Sequence, residues 1–164
     1  MVEKKGAGRP SNREVILDAA DHLVAAEGAA HLTFDALSQV TGISKGGLLY
    51  HFNSKDCLLQ AMLKRRVERY EALRESYHQQ FSDDPKGELK SILLAALDTD
   101  AECSRLGSGM LAAAATNPEL LGPLKEHIAV TLQRLERIAG KKVGKTLFYA
   151  VHGARLFEQL NLCD

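Results

Sequence analysis

The stretch Gly42-Ile43-Ser44-Lys45-Gly46-Gly47-Leu48-Leu49-Tyr50-His51-Phe52, followed by Ser54-Lys55, constrains this chain more than any other part of it. A glycine turn runs into a serine suited to cap a helix, and a very short helix follows before a second serine opens a long one. Upstream, Thr33 is placed to cap a helix over Phe34 to Val40. Leu32 and Leu37 flank that cap as a hydrophobic staple, and Ile43 and Leu48 repeat the pattern around Ser44. Gly42 suits the positive φ that ends the first of the two helices, and Ser38 is small enough for a close helix crossing. Two short helices joined by a three- or four-residue turn containing Gly form a helix-turn-helix. The bland alternative is a helical hairpin serving only as core.

The flanking segments agree with a helical reading. Ser11-Asn12-Arg13-Glu14 is a capping box, and Val15, Ile16, Ala19, Ala20, Leu23 and Val24 follow at 3.6-residue spacing up to Gly28. Ser54 opens a helix expected to reach about Gln80, with Leu58, Leu59, Met62, Leu63, Tyr70, Leu73 and Tyr77 as its apolar and aromatic positions. Asp84-Pro85 predicts a helix start, because Pro is favoured at the first helical position, and that helix is expected to run to about Glu102. A short helix is expected over Ser104 to Ala115. Asn117-Pro118 is another start, which Gly122-Pro123 should break or kink, before a long segment to Ile138 and a last helix from Lys142 to about Leu160. No stretch reads as a strand. The fold class expected is all-α: residues 1–10 a flexible basic arm, 11–55 a helix-turn-helix domain, and 56–164 a second helical domain.

Charge and composition exclude several classes. No apolar run approaches the roughly 20 residues that span a bilayer, and Met-Val-Glu-Lys-Lys-Gly lacks the apolar core of a secretory signal. Cys57, Cys103 and Cys163 are odd in number and far apart, which fits reduced thiols in a cytoplasmic protein rather than a disulfide framework. The formal net charge of zero argues against nucleic-acid binding. The arm answers this in part, with Lys4, Lys5, Arg9 and Arg13 against Glu3 alone. No metal-spaced His/Cys/carboxylate set, no Gly-rich phosphate loop before a strand and no nucleophile–base pair is visible, so neither a cofactor, nor a metal, nor an enzyme activity is expected.

With the arm, Thr33, the Gly42-Ile43-Ser44 turn, Lys45-Gly46, Tyr50-His51-Phe52 and Ser54-Lys55-Asp56 with Leu58-Leu59, the first ~65 residues resemble the DNA-binding domain of the tetracycline-repressor family. The remaining ~100 residues match only in helix count and order. The resemblance implies a three-helix DNA-binding domain joined by a long fourth helix to a helical domain that binds a small molecule and dimerises. It implies a homodimeric repressor bound to a palindromic operator on double-stranded DNA. Two departures stand out. Asp35 occupies a position early in the second helix where the family commonly has a basic residue. Leu49 replaces the usual Tyr of the third helix, with Tyr50 beside it, and Gly47 stands where Thr is frequent.

The expected DNA face is Arg9, Thr33, Ser44, Lys45, Gly46, Gly47, Tyr50, His51 and Lys55. Arg9 would enter a narrow minor groove. The capped helix ends would offer N–H groups to phosphate, and Lys45 would reach a phosphate or a guanine edge. Gly46 and Gly47 cost about 1 kcal/mol each in helix propensity, which suggests close approach of backbone to DNA or close packing on the first helix. His51 reads more readily as a half-buried spacer under Phe52. Lys64-Arg65-Arg66 reads as an added basic field or an exposed helix face. The expected effector site is Met62, Tyr70, Tyr77, Leu106 and Met110, for a small, mostly apolar molecule. His127 and His152 have no partner in the sequence. Two apolar stripes, Leu124-Ile128-Leu132-Leu135-Ile138 and Leu147-Ala150-Val151-Ala154-Phe157, suggest dimerisation through Ile128, Leu135, Leu147, Val151, Gly153 and Ala154, with Gly153 permitting a close crossing. The competing readings are a DNA-binding protein controlled without a small molecule, and a helical enzyme or adaptor carrying the motif by chance.

Overall fold

The computed structural model describes residues 11–98, 117–159 and 162. The described residues form seven α-helices: α1 (Asn12–Glu27), α2 (Phe34–Thr41), α3 (Lys45–His51), α4 (Lys55–Gln80), α5 (Gly87–Leu97), α6 (Gly122–Ala139) and α7 (Lys141–Gln159). A turn of 3₁₀ helix, Pro118–Leu121, leads into α6. The helix expected over 104–115 and the arm over 1–10 lie outside the described residues.

The described residues form two apolar cores, and α4, which at 26 residues is about 39 Å long, contributes to the larger. The first core joins Ile16, Leu17, Ala20 and Val24 of α1 to Leu37 of α2, Leu48 of α3, Phe52, and Leu58, Leu59, Met62 and Leu63 of α4. It therefore reaches well past residue 55. It also takes in Leu120, which is 3% exposed although it belongs to the later part of the chain. The second, smaller core is Ile92 of α5, Leu135 of α6 and Phe148 of α7, with Leu89, Leu132 and Ile138 against it.

Beside the first core, α1 and α4 are joined by a buried ion cluster. Arg65 Nη1 donates to Asp18 at 2.7 Å and lies 3.4 Å from Glu14, while Nη2 donates to Asp21. The Arg65 and Asp21 side chains are 9% and 10% exposed. The expected exposed basic face at Lys64-Arg65-Arg66 is thus corrected for Arg65. Its position on α4 turns it toward three carboxylates on α1, so its charge is spent inside the protein.

The second half of the chain departs from expectation at Pro85 and at Gly153, and meets it at the break at Gly122-Pro123. Pro85 does not open a helix. Asp84 first accepts from the Lys86 amide at 2.8 Å, and α5 starts at Gly87, where a Cβ would lie 2.2 Å from the Phe81 carbonyl oxygen. At Gly122-Pro123 the 3₁₀ turn ends and α6 begins, with Pro123 in the first helical turn, where its missing N–H costs nothing. The tight crossing of α6 and α7 falls at Gly144, where a Cβ would sit 2.6 Å from the Leu135 carbonyl carbon, whereas Gly153 meets nothing of its own chain within 4 Å.

Candidate nucleic-acid interface

Local hydrogen bonds fix the α2–turn–α3 unit. Thr33 Oγ1 accepts from the Ala36 amide at 3.1 Å, and Ser44 Oγ from the Gly47 amide at 3.2 Å. Gly42 adopts φ 71°, in the left-handed region, and its amide bonds the Ser38 carbonyl at 2.9 Å. Side chains of α2 then brace the turn. Ser38 Oγ donates to the Ile43 carbonyl at 2.7 Å, and Thr41 Oγ1 accepts from the Ile43 amide at 3.2 Å. Ser38 therefore locks the turn, a role its small size alone did not reveal. Ser54 caps α4 by accepting from the Cys57 amide at 3.1 Å. The Gly42 amide and both backbone groups of Ile43 are thus held by α2.

Helix α3 buries Leu48 and turns Lys45, Gly46, Leu49 and Tyr50 to solvent. Tyr50 is 86% exposed and Leu49 40%; Val40 at the end of α2 adds an apolar neighbour at 62%. A Cβ on Gly46 would meet nothing within 4 Å, while one on Gly47 would meet Ile43 Cγ2 at 3.0 Å. Neither glycine packs on α1: Gly47 makes room for the turn's own isoleucine, and Gly46 leaves open backbone on the outer face. His51 is half-buried with its ring edge-on to Tyr50, the centroids 5.3 Å apart. The ring of Phe52 is instead covered by the Arg13 guanidinium, 5.3 Å from its centroid. Leu49 was legible only as a departure from the family pattern. Its spacing of four from Lys45 is the signal that puts it on the same outer face.

Two of the expected cations are engaged within the chain. Lys45 Nζ donates to both oxygens of Asp35, at 2.9 and 3.0 Å. Lys55 Nζ reaches the Ala30 carbonyl at 3.4 Å. Arg9 lies outside the described residues. The α2–α3 unit, residues 34–51, holds one Asp and one Lys and so carries no net charge with its histidine neutral. A helix with this outer face fits the ~12 Å major groove of B-DNA, where a lysine donor and apolar carbons can contact base edges.

The residues expected around an effector divide. Met62 is fully buried in the first core, packed with α1, and is separate from the two tyrosines. Tyr70 and Tyr77, one heptad apart on α4, both face α5. Tyr70 donates to the Ile92 carbonyl at 3.1 Å, and Tyr77 to Asp98 at 2.6 Å. Burial, with Glu71 adding, pushes the Tyr70 phenol up to about 12. Its ring stands edge-on to His127 of α6, centroids 4.7 Å apart. Burial holds His127 below the usual imidazole value although Glu71 lies 3.5 Å away, and burial does the same to His152. Thr131 Oγ1, one turn after His127, is buried without a hydrogen-bond partner. Leu106 and Met110 lie outside the described residues. Among the described residues no group of three His, Cys, Asp or Glu is placed to hold a metal, and no helix is long and apolar enough to cross a membrane.

The residues expected at a dimer interface divide as well. Leu135 is 1% exposed and belongs to the second core, so it is corrected to an interior residue. Its spacing matched the stripe because α6 turns most of that stripe inward against α5 and α7. Ile128 is 36% exposed. On α7, Leu147, Val151 and Gly153 are half-buried and Ala154 is exposed. The exposed apolar surface also includes Val143, Tyr149, Leu156 and Phe157 of α7 and Val130 of α6.

Comparison with known proteins agrees with this geometry at both ends of the chain. The family model described as "Bacterial regulatory proteins, tetR family" matches residues 16–62, and "Tetracyclin repressor-like, C-terminal domain" matches residues 86–164. The HTH-type transcriptional regulator TtgR of Pseudomonas putida is 28% identical over 94 residues, 57% of this chain and 45% of TtgR. SrpR of the same species is 35% identical over 66 residues, 40% of this chain and 31% of SrpR. These alignments take in less than half the length of either relative. A TetR-family member from Streptomyces coelicolor A3, SCO1917, superposes with a TM-score of 0.77 at 26% identity, covering 93% of this chain and 89% of that one. The multidrug binding protein EbrR, in its complex with malachite green, gives 0.74 at 26% identity, with 92% and 88% covered. Two matching models of one family, a braced helix-turn-helix and a shared all-helical fold agree: the chain belongs to the tetracycline-repressor family of bacterial regulatory proteins.

Proposed function

We propose that the chain is a homodimeric transcriptional repressor that a small, mostly apolar effector releases from a palindromic operator. The observation that carries this reading is the α2–turn–α3 unit. Its hydrogen bonds are satisfied inside, and its outer face of Lys45, Gly46, Leu49 and Tyr50 is left to solvent. The assigned face is completed by Thr33, Ser44, Gly47, His51 and Lys55, and by Arg9 of the arm. Dimerisation through α6 and α7 is supported by Ile128, Val143, Ala154 and Phe157, apolar residues that the chain itself leaves exposed. Effector control is supported by α4. Its first turns lie in the core that holds the recognition helix, while Tyr70 and Tyr77 line its other end beside His127. A ligand there that tilts α4 changes the separation of two recognition helices in a dimer. Coupling of about 1–3 kcal/mol gives roughly 5- to 150-fold in DNA affinity.

The test is selection from a randomised duplex library, with light scattering of the free protein. A palindromic consensus with half-sites about 34–36 Å apart or slightly more, bound by a dimer, is the expected result. Malachite green, the molecule in the EbrR complex, serves as the first effector probe. Failure to enrich any palindrome defeats the DNA-binding reading. A ligand that binds free and DNA-bound protein equally defeats effector control.

A further inference from the structure

We infer that Asp35 is a specificity-determining residue: it holds Lys45 away from the phosphate backbone, and the pair reads a base pair as a joined donor and acceptor. This rests on the DNA-binding reading above. The two residues are ten apart in sequence, on different helices, and the turn between them brings Nζ to 2.9 and 3.0 Å from the two carboxylate oxygens. Their side chains are 56% and 72% exposed, and an ion pair this exposed adds little to stability. Its consequence is therefore geometric and electrostatic. A lysine alone at this position is a point charge free to find the nearest phosphate. Here its direction is set by a carboxylate that phosphate repels.

The remaining hydrogen-bonding capacity defines what the pair can recognise. An ammonium has three donors and two are used on Asp35, so one remains. A carboxylate has about four acceptor positions and two are used, so the exposed oxygens still accept. In the major groove a donor meets O6 or N7 of guanine, and an acceptor meets the N4 amine of cytosine. The pair thus presents the complement of a G·C base pair. The A·T pair also offers an acceptor and an amine, but adenine gives the ammonium one acceptor where guanine gives two, and thymine adds a methyl against which the carboxylate has no apolar surface. The neighbouring Leu49 does have such a surface. Neutralising Lys45 also removes one cation from the sequence-independent attraction to DNA, which favours discrimination over affinity.

Four proteins test this: the wild type, Asp35→Ala, Lys45→Ala and the double variant, with Asp35→Asn as a control that removes charge but keeps size. Each is titrated by fluorescence anisotropy against a 30-base-pair duplex of mixed sequence between 50 and 200 mM NaCl, then used to select from a randomised library. With Asp35→Ala or Asp35→Asn the freed lysine engages phosphate. The salt slope should steepen by about 0.9 per chain, a further three- to four-fold loss of affinity per chain across that range. Binding at 50 mM should tighten, and the selected consensus should lose one G·C position in each half-site. The double variant should lose the gain. An unchanged slope and consensus in Asp35→Ala overturns the inference, and so does a gain that persists in the double variant. If the wild type binds neither the mixed duplex nor any library member, the DNA-binding reading itself falls and takes this inference with it.

Discussion

Replacing Arg65 by Met should destabilise the protein severely, because it strands a buried carboxylate. Asp21 is 10% exposed and its Oδ1 has no partner, so Arg65 supplies most of what keeps the charge tolerable. Breaking a buried ion pair from one side costs about 3–5 kcal/mol. Arg69 remains 3.6 Å from Asp21, which places the loss at the lower end, about 3 kcal/mol. For a chain of 164 residues that lowers the midpoint of thermal unfolding by roughly 6–12 °C. The loss also depends on pH with a determined sign. Burial already holds the Asp21 pKa above its unfolded value of 3.8, despite the opposing Arg65 charge. Without that charge the folded value rises further. A raised carboxyl pKa means that the folded state binds the proton more tightly, so stability recovers as pH falls through the raised value. The deficit of Arg65→Met should be largest at pH 7.5 and shrink toward pH 5. The double variant Arg65→Met/Asp21→Leu should regain most of the stability, since apolar side chains of similar volume replace a buried pair at little cost. Urea and thermal unfolding at several pH values measure all of this. A loss under about 1 kcal/mol, a deficit independent of pH, or a double variant no better than the single would refute the account of the cluster.

Two further perturbations separate close helix contacts from open ones and neutral histidines from charged ones. Gly144→Ala drives a methyl to 2.6 Å from backbone of α6 and should cost on the order of 1–3 kcal/mol. Gly153→Ala meets nothing in its own chain and should leave the protomer as stable as wild type or slightly more so, by the better helix propensity of Ala. Gly153→Arg should lower the dimer fraction in light scattering, and a dimer of unchanged strength would move the interface away from this part of α7. His127 and His152 are both held below the ordinary imidazole value by burial. Their contribution is full above the ordinary imidazole value of 6.5 and is lost as pH falls below it toward the folded values, opposite in sign to Asp21. His127→Gln should flatten the acid-side fall of the thermal midpoint between pH 6.5 and 5, and an unchanged slope would count against its burial as a neutral ring.

What the sequence disclosed was local. Ser11, Thr33, Ser44 and Ser54 each accept from the amide three residues on, because a cap is specified by residue type and spacing alone. The left-handed Gly42 follows from the same short-range rules. The periodicities of α1, α4, α6 and α7 likewise located helices to within a few residues. What stayed hidden depended on which helix faces which. Arg65 sits in a basic run that looks solvated until α1 supplies Asp18 and Asp21 from 47 and 44 residues away. Lys45 looks like a free cation until the turn delivers Asp35. Leu135 and Ile128 share a stripe, and only the position of α5 and α7 decides that one is interior and the other exposed. Gly144 and Gly153 are equally small, and only the crossing point of α6 with α7 distinguishes them. Arg9, Leu106 and Met110 lie outside the described residues.

The segment before α6 links the two halves of the chain more tightly than α4 alone could. Leu120 is sealed in the first core with Leu58, Leu59 and Met62. Asn117 Nδ2 donates to Asp56 at 2.8 Å, and Gln60 donates to the Glu119 carbonyl at 3.4 Å. Asp56 and Gln60 stand in the first two turns of α4, next to the Ser54 cap and to the loop that ends α3. A displacement of α6 along its axis therefore has two outcomes. Either it carries the start of α4 with it, or it pulls Leu120 out of an apolar core, at a cost of about 1.5–3 kcal/mol for a leucine exposed to water. The two surface hydrogen bonds, about 0.5–1.5 kcal/mol each, resist the same displacement with a comparable sum. The leucine and the polar contacts therefore act together, and the polar pair sets the register. His127, in the second turn of α6, stands edge-on to Tyr70 of α4. Motion of α6 at this contact is tied to the helix-turn-helix by two routes, through α4 itself and through the strut at Leu120. A rigid rotation of α4 that left Leu120 behind would break the second route.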